Sequence, residues 1–236
     1  MQLFYCPNSD PKSQKIILPE QESKHCIRVL RKKQGDKIHI IDGKGGFYEG
    51  TVTNENQKHC AVIVNNYEQQ KPKSYRVHIA VAPTKNNDRT EWLIEKCVEF
   101  GVDEISFVKT FHSERKVLKD ERLFKTALSA CKQSLKAKIP ILNSLQTFNE
   151  FLEKPTNAEC YIAYVQSGKE THLAKMIVPQ KSYCILIGPE GGFSEQEVLK
   201  ANQKGFQTVS LGENRLRTET AAIASCHILN LFGEQK

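Results

Sequence analysis

Short apolar runs alternate with longer segments of helical periodicity from residue 76 onward. The runs lie at 76–83, 105–108, 160–165, 183–187 and 207–211. The segments between them begin at capping residues such as Asn87 or Ser194 and end at Gly101 or Gly205, which is how helices begin and end. Strands that alternate with helices predict an α/β fold with a mostly parallel sheet and helices on both faces.

The first 70 residues follow a different pattern, in which short strands are separated by turns. Apolar strands are predicted at 3–6, 38–41, 47–53 and 60–65, with a hairpin turn at 43–46. A short helix after Pro19 carries His25, and a polar segment with one proline, 67–74, precedes the α/β pattern. We therefore predict a small β-rich domain at 1–70 and an α/β domain at 74–236.

A glycine-rich turn follows the apolar run near the C-terminus. Gly188, Gly191 and Gly192 lack a Cβ, so the backbone can turn sharply there and a ligand can approach it closely. Ser194 and Glu197 form a capping box that opens the next helix. The spacing fits neither the dinucleotide-binding fingerprint nor a P-loop, and an ordinary strand–turn–helix connection would have the same features.

A second loop, after the last apolar run, connects two arginines to a helix N-terminus. Gly212 ends the strand, Arg215 and Arg217 follow, and helical periodicity begins near Thr218. Free amides and the helix dipole attract an anion to such a position. The same residues would also be explained without a ligand, if Glu219 complemented the dipole and paired with Arg217.

The net charge of +7 is concentrated in two regions. Residues 109–138 hold nine Lys or Arg against three acidic side chains, and residues 1–73 hold twelve against eight. Two basic regions on an otherwise mildly acidic chain favour a polyanionic partner. For either region alone, a solvated helix face with many charges would give the same count.

Cysteine spacing and hydropathy argue against several classes of protein. The eight cysteines include no Cys-x-x-Cys pair, so we predict neither a zinc site nor a redox pair, and no metal. No apolar run approaches the ~20 residues that span a bilayer, and the N-terminus lacks the pattern of a signal peptide. We therefore expect a cytoplasmic protein that does not contact a membrane.

The two C-terminal loops together are more specific than either alone. Gly-Pro-Glu-Gly-Gly-Phe-Ser at 188–194 is followed by Leu-Gly-Glu-Asn-Arg-Leu-Arg-Thr-Glu-Thr-Ala at 211–221. This combination resembles the RsmE family, the 16S rRNA uracil-N3 methyltransferases of the SPOUT superfamily.

The resemblance extends along nearly the whole chain. Segments 25–36 and 92–102 and the triplet Ser-Glu-Arg at 113–115 are similar to further motifs of the family. The chain departs from the family pattern at Lys132 and Lys136, where the family usually has Glu and Arg.

The resemblance implies a fold and an activity. The fold would be a SPOUT-type α/β domain with a C-terminal trefoil knot at 74–236, preceded by a PUA-like, RNA-binding β-barrel at 1–70. The activity would be S-adenosylmethionine-dependent methylation of N3 of uridine 1498 in the 16S rRNA of the assembled small ribosomal subunit. The family works as a homodimer.

The resemblance also implies site residues. The backbone of the two loops would bind the methyl donor through Leu186, Ile187, Gly188, Pro189, Glu190, Gly191, Gly192, Leu211, Gly212, Asn214, Leu216 and Thr220. RNA would be bound by His25, Arg28, Arg31, Lys32 and Arg115.

Two residues are candidates for catalysis. Uracil N3 carries a proton, so methylation needs a general base or stabilisation of the uracil anion. Arg217 would stabilise an oxyanion on the uracil. Glu219 would either accept the proton or hold Arg217 in place, and the sequence does not separate these roles. Because N3 lies on the pairing edge, the uridine must be unpaired or flipped out.

Three other classes of function stay open. An RNA-binding assembly factor without catalysis would share the charge pattern but would not need both loops, and donor binding would distinguish it. A nucleotide-dependent metabolic enzyme would need a phosphate loop, which is missing. A SPOUT methyltransferase acting on tRNA or on a ribose hydroxyl is the closest alternative, and the N-terminal segment argues against it.

Overall fold

The computed structural model of the protein describes residues 1–164 and 171–235. Its contacts divide the chain into two compact units. The first unit comprises Met1–Pro72 and Leu128–Ile139, and the second comprises Lys73–Ala127 and the chain from Pro140 onward. Nothing in the linear pattern indicates that residues 128–139 group with the first unit. The domain limits at 70 and 74 stay a prediction.

The first unit is built on a mixed five-stranded sheet. Its strands are β1 (Leu3–Tyr5), β2 (Lys15–Ile17), β3 (Lys37–Ile41), β4 (Gly46–Asn54) and β5 (Ala61–Gln69). The order is β1-β3-β4-β5-β2, with β1 parallel to β3 and the other neighbours antiparallel. All five strands contribute to one buried core that includes Phe4, Ile16, Ile40, Tyr48 and Val62. A core enclosed in this way is the packing expected of a PUA-like barrel.

A short helix leads to the basic segment of the first unit. Helix α1 (Glu20–Lys24) continues as a single π-helical turn, His25–Val29. Cys26 is fully buried in the core of the unit, whereas Arg28 is exposed. The predicted short helix that carries His25 is confirmed in this form.

The second unit contains a six-stranded sheet in which every neighbouring pair is parallel. Its strands are β6 (Val77–Val81), β7 (Glu104–Lys109), β8 (Ile141–Thr147), β9 (Glu159–Ala163), β10 (Tyr183–Ile187) and β11 (Gln207–Val209). The order is β11-β9-β10-β6-β7-β8. All residues of β10 are buried, as in strands covered on both faces. The predicted parallel sheet is therefore confirmed, although Val165, predicted as a strand residue, lies outside the described residues.

Helices follow these strands, and several of them begin at side-chain caps. They are α2 (Asn87–Phe100), α3 (Asp120–Gln133), α4 (Phe148–Leu152), α5 (Leu173–Met176), α6 (Glu195–Gln203) and α7 (Thr218–Gly233). The cap of α2 is Asn86, one residue before the predicted Asn87, and its side chain accepts the N–H of Asp88. Gly101, with φ +88°, ends the helix as predicted. The predicted capping box of Ser194 and Glu197 is present at α6. No helix in the described ranges is long and apolar enough to cross a membrane.

Some elements differ from the sequence interpretation. Strands β2 and β8 and helices α4 and α5 were not predicted. Strand β8 lies at the edge of its sheet and its residues are all partly or fully exposed, so it lacks the apolar run of a central strand. Strand β5 continues to Gln69, so part of the segment predicted as a linker is strand. The trefoil knot stays a prediction.

Candidate active site

The strand order creates a crevice at the carboxyl ends of β6 and β10. From β6 the chain proceeds outward through β7 to β8, then returns to the other side of the sheet at β9, and β10 lies between β9 and β6. The connections that leave β6 and β10 therefore run toward opposite edges. Open α/β sheets bind ligands at such a switch point. Because the strands are parallel, the loops after β6, β7, β10 and β11 all emerge at the carboxyl end of the sheet, where the crevice lies.

The loop after β10 lies directly against the loop after β7. A Cβ added at Gly191 would come within 2.9 Å of the His112 Cβ, so only glycine permits this approach without a shift of the chain. His112 Nδ1 also donates to the carbonyl oxygen of Gly192 at 3.2 Å. The glycines of this loop are thus partly explained by packing of chain on chain, and not by a ligand alone.

The side chain of Glu197 on α6 also connects the loops after β7 and β10. Its carboxylate is buried. Oε2 accepts the backbone N–H of Ser194 at 2.9 Å and the Ser194 hydroxyl at 3.0 Å. Oε1 accepts the N–H of Phe111 at 2.8 Å. The residue that caps α6 therefore also fixes the start of the loop after β7.

The loop after β11 is open to solvent and meets the first loop at one point. Residues 212–217 are all exposed, and Gly212 has a φ of +117° with no atom of the described residues within 4 Å of an added Cβ. Thr218 Oγ1 donates to the carbonyl oxygen of Gly188 at 3.0 Å. The structure therefore brings together the two loops that the sequence marked as one site.

The predicted donor-binding residues occupy three environments. Leu186, Ile187 and Pro189 are buried at the end of β10, and Gly188, Gly192 and Leu211 are half-buried. The exposed members are Glu190, Gly191, Gly212, Asn214, Leu216 and Thr220. The buried end of β10 thus offers a ligand mainly backbone groups, while the two loops are accessible to solvent.

The two candidate catalytic residues differ sharply in burial. Arg217 is the exposed N-cap residue of α7, whereas Glu219, in the first turn, is 5% exposed. Glu219 Oε1 lies 3.7 Å from Nε of Arg89 on α2. The ion pair of Glu219 is therefore with Arg89, whereas the sequence suggested Arg217 as the partner. Within the described residues, Glu219 Oε2 is buried without a hydrogen-bond partner. Such an atom is costly, which makes it a candidate for ligand contact.

Arg115 joins the loops after β6 and β7. Its Nε donates to the carbonyl oxygen of Thr84 at 3.0 Å, and its Nη2 donates to that of Lys85. Lys85 Nζ in turn pairs with Glu114 at 2.9 Å. Together with Lys116 and Val117, these two residues and Arg115 line a cavity of about 420 Å³. The sequence marked Arg115 for RNA binding, and in this structure its guanidinium holds two backbone carbonyls.

The predicted RNA-binding residues of the first unit lie in one short stretch, 25–32. His25 Nε2 lies 3.3 Å from Gln2 Nε2. Arg28 and Arg31 are exposed, and Lys32 is half-buried. Arg31 has a φ of +52°, which is uncommon for a residue other than glycine. Exposed cations at an irregular turn suit phosphate contacts. The RNA-binding role of these residues stays a prediction.

Lys132, one of the two departures from the family pattern, has a partner in the first unit. Its Nζ forms an ion pair with Glu22, and the two side chains are only 22% and 14% exposed. The positive charge at this position is therefore neutralised within the unit that holds it. This pairing gives Lys132 a structural role.

Comparison with known proteins assigns the family. Residues 71–230 match the RNA methyltransferase domain family, and residues 18–65 match the RNA methyltransferase PUA domain family. The ribosomal RNA small subunit methyltransferase E of Bacillus subtilis is 30% identical over 223 residues, which cover 86% of this chain and 84% of the relative. The chain belongs to the ribosomal RNA small subunit methyltransferase E family. The resemblance of the two C-terminal loops to this family is thus confirmed.

Solved structures of methyltransferases have the same fold as this chain. A "probable rRNA-methyltransferase" from Porphyromonas gingivalis is 42% identical with a TM-score of 0.89, over 98% of this chain and 99% of that one. The ribosomal RNA small subunit methyltransferase E of Neisseria gonorrhoeae, bound to S-adenosylmethionine, is 27% identical with a TM-score of 0.85, over 96% and 95%. Both matches span the PUA-like and α/β parts together.

Several residues at the edge of the site were missed by sequence reasoning. Arg89 resembles an ordinary surface residue in the first turn of α2. Thr218 resembles a helix-start residue, and Lys85 resembles a loop cation. No sequence signal marks their contacts, because their partners are distant along the chain. No group of three or more His, Cys, Asp or Glu in the described ranges could hold a metal ion.

Proposed function

We propose that this chain transfers a methyl group from S-adenosylmethionine to N3 of a uridine in small-subunit rRNA, at position 1498 of 16S rRNA. The observation that carries the proposal is the hydrogen bond from Thr218 to the Gly188 carbonyl. It joins both halves of the family's motif around one crevice at the switch point of the sheet. Membership of the methyltransferase E family supports the choice of RNA and donor.

The two loops fit the methyl donor. S-adenosylmethionine supplies an electrophilic methyl group, and its adenosine and amino-acid parts need donors and acceptors at close range. The Phe193 ring lies 3.2 Å from where a Cβ of Gly188 would stand, so Gly188 gives that ring room at the carboxyl end of β10. Among the described residues, Gly192 and Gly212 leave open space where a Cβ would stand. We assign donor binding to the backbone at 186–192 and at 211–216, with Thr220 beside it.

Arg217 and Glu219 are suited to activate the uracil. Arg217 stands at the exposed N-terminus of α7, where its charge and the helix dipole both favour an anion. It would stabilise negative charge on a uracil oxygen as N3 loses its proton. The Oε2 of Glu219, which is buried without a hydrogen-bond partner in the part of the chain that the structure describes, is the candidate acceptor for that proton, while Oε1 is held toward Arg89.

The substrate side of the proposal uses the first unit. Arg28, Arg31, Lys32 and His25 would contact RNA phosphates, which provide affinity and registration but no reading of sequence. We propose that the protein acts on the assembled small subunit, as a homodimer whose α/β domain has the trefoil knot of the SPOUT superfamily. The family resemblance supports the dimer and the knot.

A methyl-transfer assay tests the proposal. Protein and labelled donor are mixed with small subunits that lack the modification, with tRNA and protein-free rRNA in parallel, and the products are digested for nucleoside mass analysis. We expect 3-methyluridine from subunits alone. Label in tRNA or on a ribose hydroxyl would reject the proposed substrate, and failure to bind the donor would favour a non-catalytic assembly factor.

Arg217 is tested in the same assay against its neighbour on the loop. We expect Arg217→Ala to lower kcat by roughly 10²–10³-fold, the cost of losing an oxyanion-stabilising group, with little change in donor affinity. Arg215→Ala is the matched control, since Arg215 is also exposed on the same loop. Equal turnover of the two variants would remove Arg217 from the mechanism.

A further inference from the structure

The loop after β7 presents an aromatic side chain to solvent. Phe111 is 78% exposed, on a loop that lies against the glycine-rich loop of the candidate active site. Single exposed apolar side chains are ordinary on protein surfaces, so this exposure alone implies no function. Its meaning depends on how firmly the ring is held and on what surrounds it.

The backbone under Phe111 is fixed from two directions. Its N–H donates to the buried carboxylate of Glu197 at 2.8 Å. The next residue, His112, packs against Gly191 and donates to the Gly192 carbonyl at 3.2 Å. The imidazole of His112 also stands edge-on to the phenyl ring, with centroids 4.9 Å apart. An aromatic side chain on a fixed backbone loses little conformational entropy when it binds a partner.

The connection that carries Phe111 is mainly cationic, and its acidic side chain, Glu114, pairs with Lys85. Lys109, Lys116 and Lys119 are exposed on the same connection, and Val117 between them is 73% exposed. Surfaces that bind single-stranded nucleic acid combine exposed aromatic side chains, on which bases stack, with cationic side chains that contact the phosphates. The core of a protein–protein interface is instead depleted in lysine. The loop therefore suits RNA better than a second copy of this chain.

We propose that Phe111 stacks on an unpaired base of the RNA substrate, next to the uridine that is methylated. This inference rests on the proposed function, because N3 of the target must leave its base pair to react. Since Phe111 adjoins the loop that contains Gly191, a base on its ring would lie at the entrance to the crevice. Stacking of this kind tolerates any base, so Phe111 would secure the RNA strand and not read its sequence.

Four versions of position 111 separate stacking from simple apolar contact. We expect Phe111→Ala and Phe111→Leu to weaken the Kd for small subunits by roughly 5- to 150-fold, the range measured for lost base stacking. Phe111→Trp should bind like the natural protein, because tryptophan has a π-face and leucine has only apolar area. Donor affinity should be the same in all four. Leu199→Ala is the matched control, since Leu199 on α6 is 61% exposed.

A spectroscopic measurement gives a second readout. The chain has one tryptophan, Trp92, so Phe111→Trp in a Trp92→Phe background places a single indole on the loop. We expect its fluorescence to be quenched when an unmodified uridine-containing oligoribonucleotide binds. Unchanged fluorescence at saturating RNA, or equal subunit binding by Phe111→Leu and the natural protein, overturns the proposal.

The remaining outcomes are also decisive. If Phe111→Ala changes the oligomeric state and leaves RNA affinity unchanged, a second copy covers the ring and the proposal is wrong. If the natural protein binds subunits but transfers no methyl group, the proposed activity fails, while the binding comparison at position 111 still supports or rejects stacking by itself.

Discussion

Replacing Glu197 by glutamine should weaken the connection between the loops after β7 and β10 while changing almost no volume. The carboxylate accepts from both sides, with Oε2 facing Ser194 and Oε1 facing the N–H of Phe111. A glutamine side chain has a single acceptor oxygen. If that oxygen caps α6, as glutamine does in a capping box, its NH₂ group faces the N–H of Phe111 and that hydrogen bond is lost.

The size of the effect follows from the bonds that are removed. A hydrogen bond to a charged acceptor contributes about 1.5–3 kcal/mol, and an unsatisfied buried donor carries a similar cost. Losing the cap instead would cost about 1 kcal/mol. We therefore expect Glu197→Gln to reduce the local stability of the loop by about 1–3 kcal/mol. Amide exchange at Phe111 should then accelerate by roughly tenfold for each 1.4 kcal/mol.

Hydrogen exchange read by mass spectrometry over peptides that contain residues 110–113 measures this directly. Glu150 provides a matched control, because its Oε2 accepts the N–H and hydroxyl of Thr147 in the same capping box. Its side chain is exposed, and its hydrogen bonds in the described residues are all to Thr147. Glu150→Gln should leave the exchange of residues 110–113 unchanged. If Glu197→Gln is equally silent, the bond to Phe111 has no energetic role and our account of the loop is wrong.

Three further predictions concern other parts of the molecule. Arg115→Lys should lower turnover roughly tenfold or more through misplaced loops, since one ammonium cannot replace the planar fork that holds two carbonyls; turnover close to natural would indicate a simple phosphate contact. Burial lowers the pKa of His78 below its ordinary 6.5, although Glu104 opposes this. The stability that is present above pH 6.5 should therefore fall on acidification, because the unfolded chain binds the proton more readily. Thermal melts from pH 8 to 5 should show a smaller fall for His78→Gln. Arg28→Ala with Arg31→Ala should reduce the salt dependence of subunit binding by about one unit of slope per lost phosphate contact, and an unchanged slope would exclude these residues from the RNA surface.

The sequence predicts those features that depend on residues close together along the chain. The buried strand Tyr183–Ile187 is a continuous apolar run, and a strand covered on both faces has that composition. Ser194 and Glu197 stand at the spacing of a capping box, which is a local interaction. Gly188 and Gly212 interrupt these patterns where the chain turns. Such signals locate the crevice because they need no knowledge of distant residues.

The contacts that complete the site leave no such signal. Glu219 and Arg89 are far apart in sequence, as are Phe111 and Glu197, and each looks like an ordinary member of its own loop or helix. Strand β8 was missed for a related reason, because an edge strand with Ile141 about half exposed has no buried face to reveal it. Pairings of this kind depend on the tertiary arrangement of the sheet, which single-sequence periodicity does not contain.

The site is assembled by side chains that a ligand need not touch. Arg115 binds the backbone after β6, Glu197 binds the backbone after β7, and Thr218 binds the backbone after β10. In each case the acceptor or donor on the other side is a main-chain group, so these bonds fix the course of the backbone around the crevice. Methyl transfer to nitrogen requires in-line alignment, and positioning can contribute several kcal/mol to its rate. It follows that substitutions at these three residues should impair transfer even when every group in contact with donor and uridine is intact.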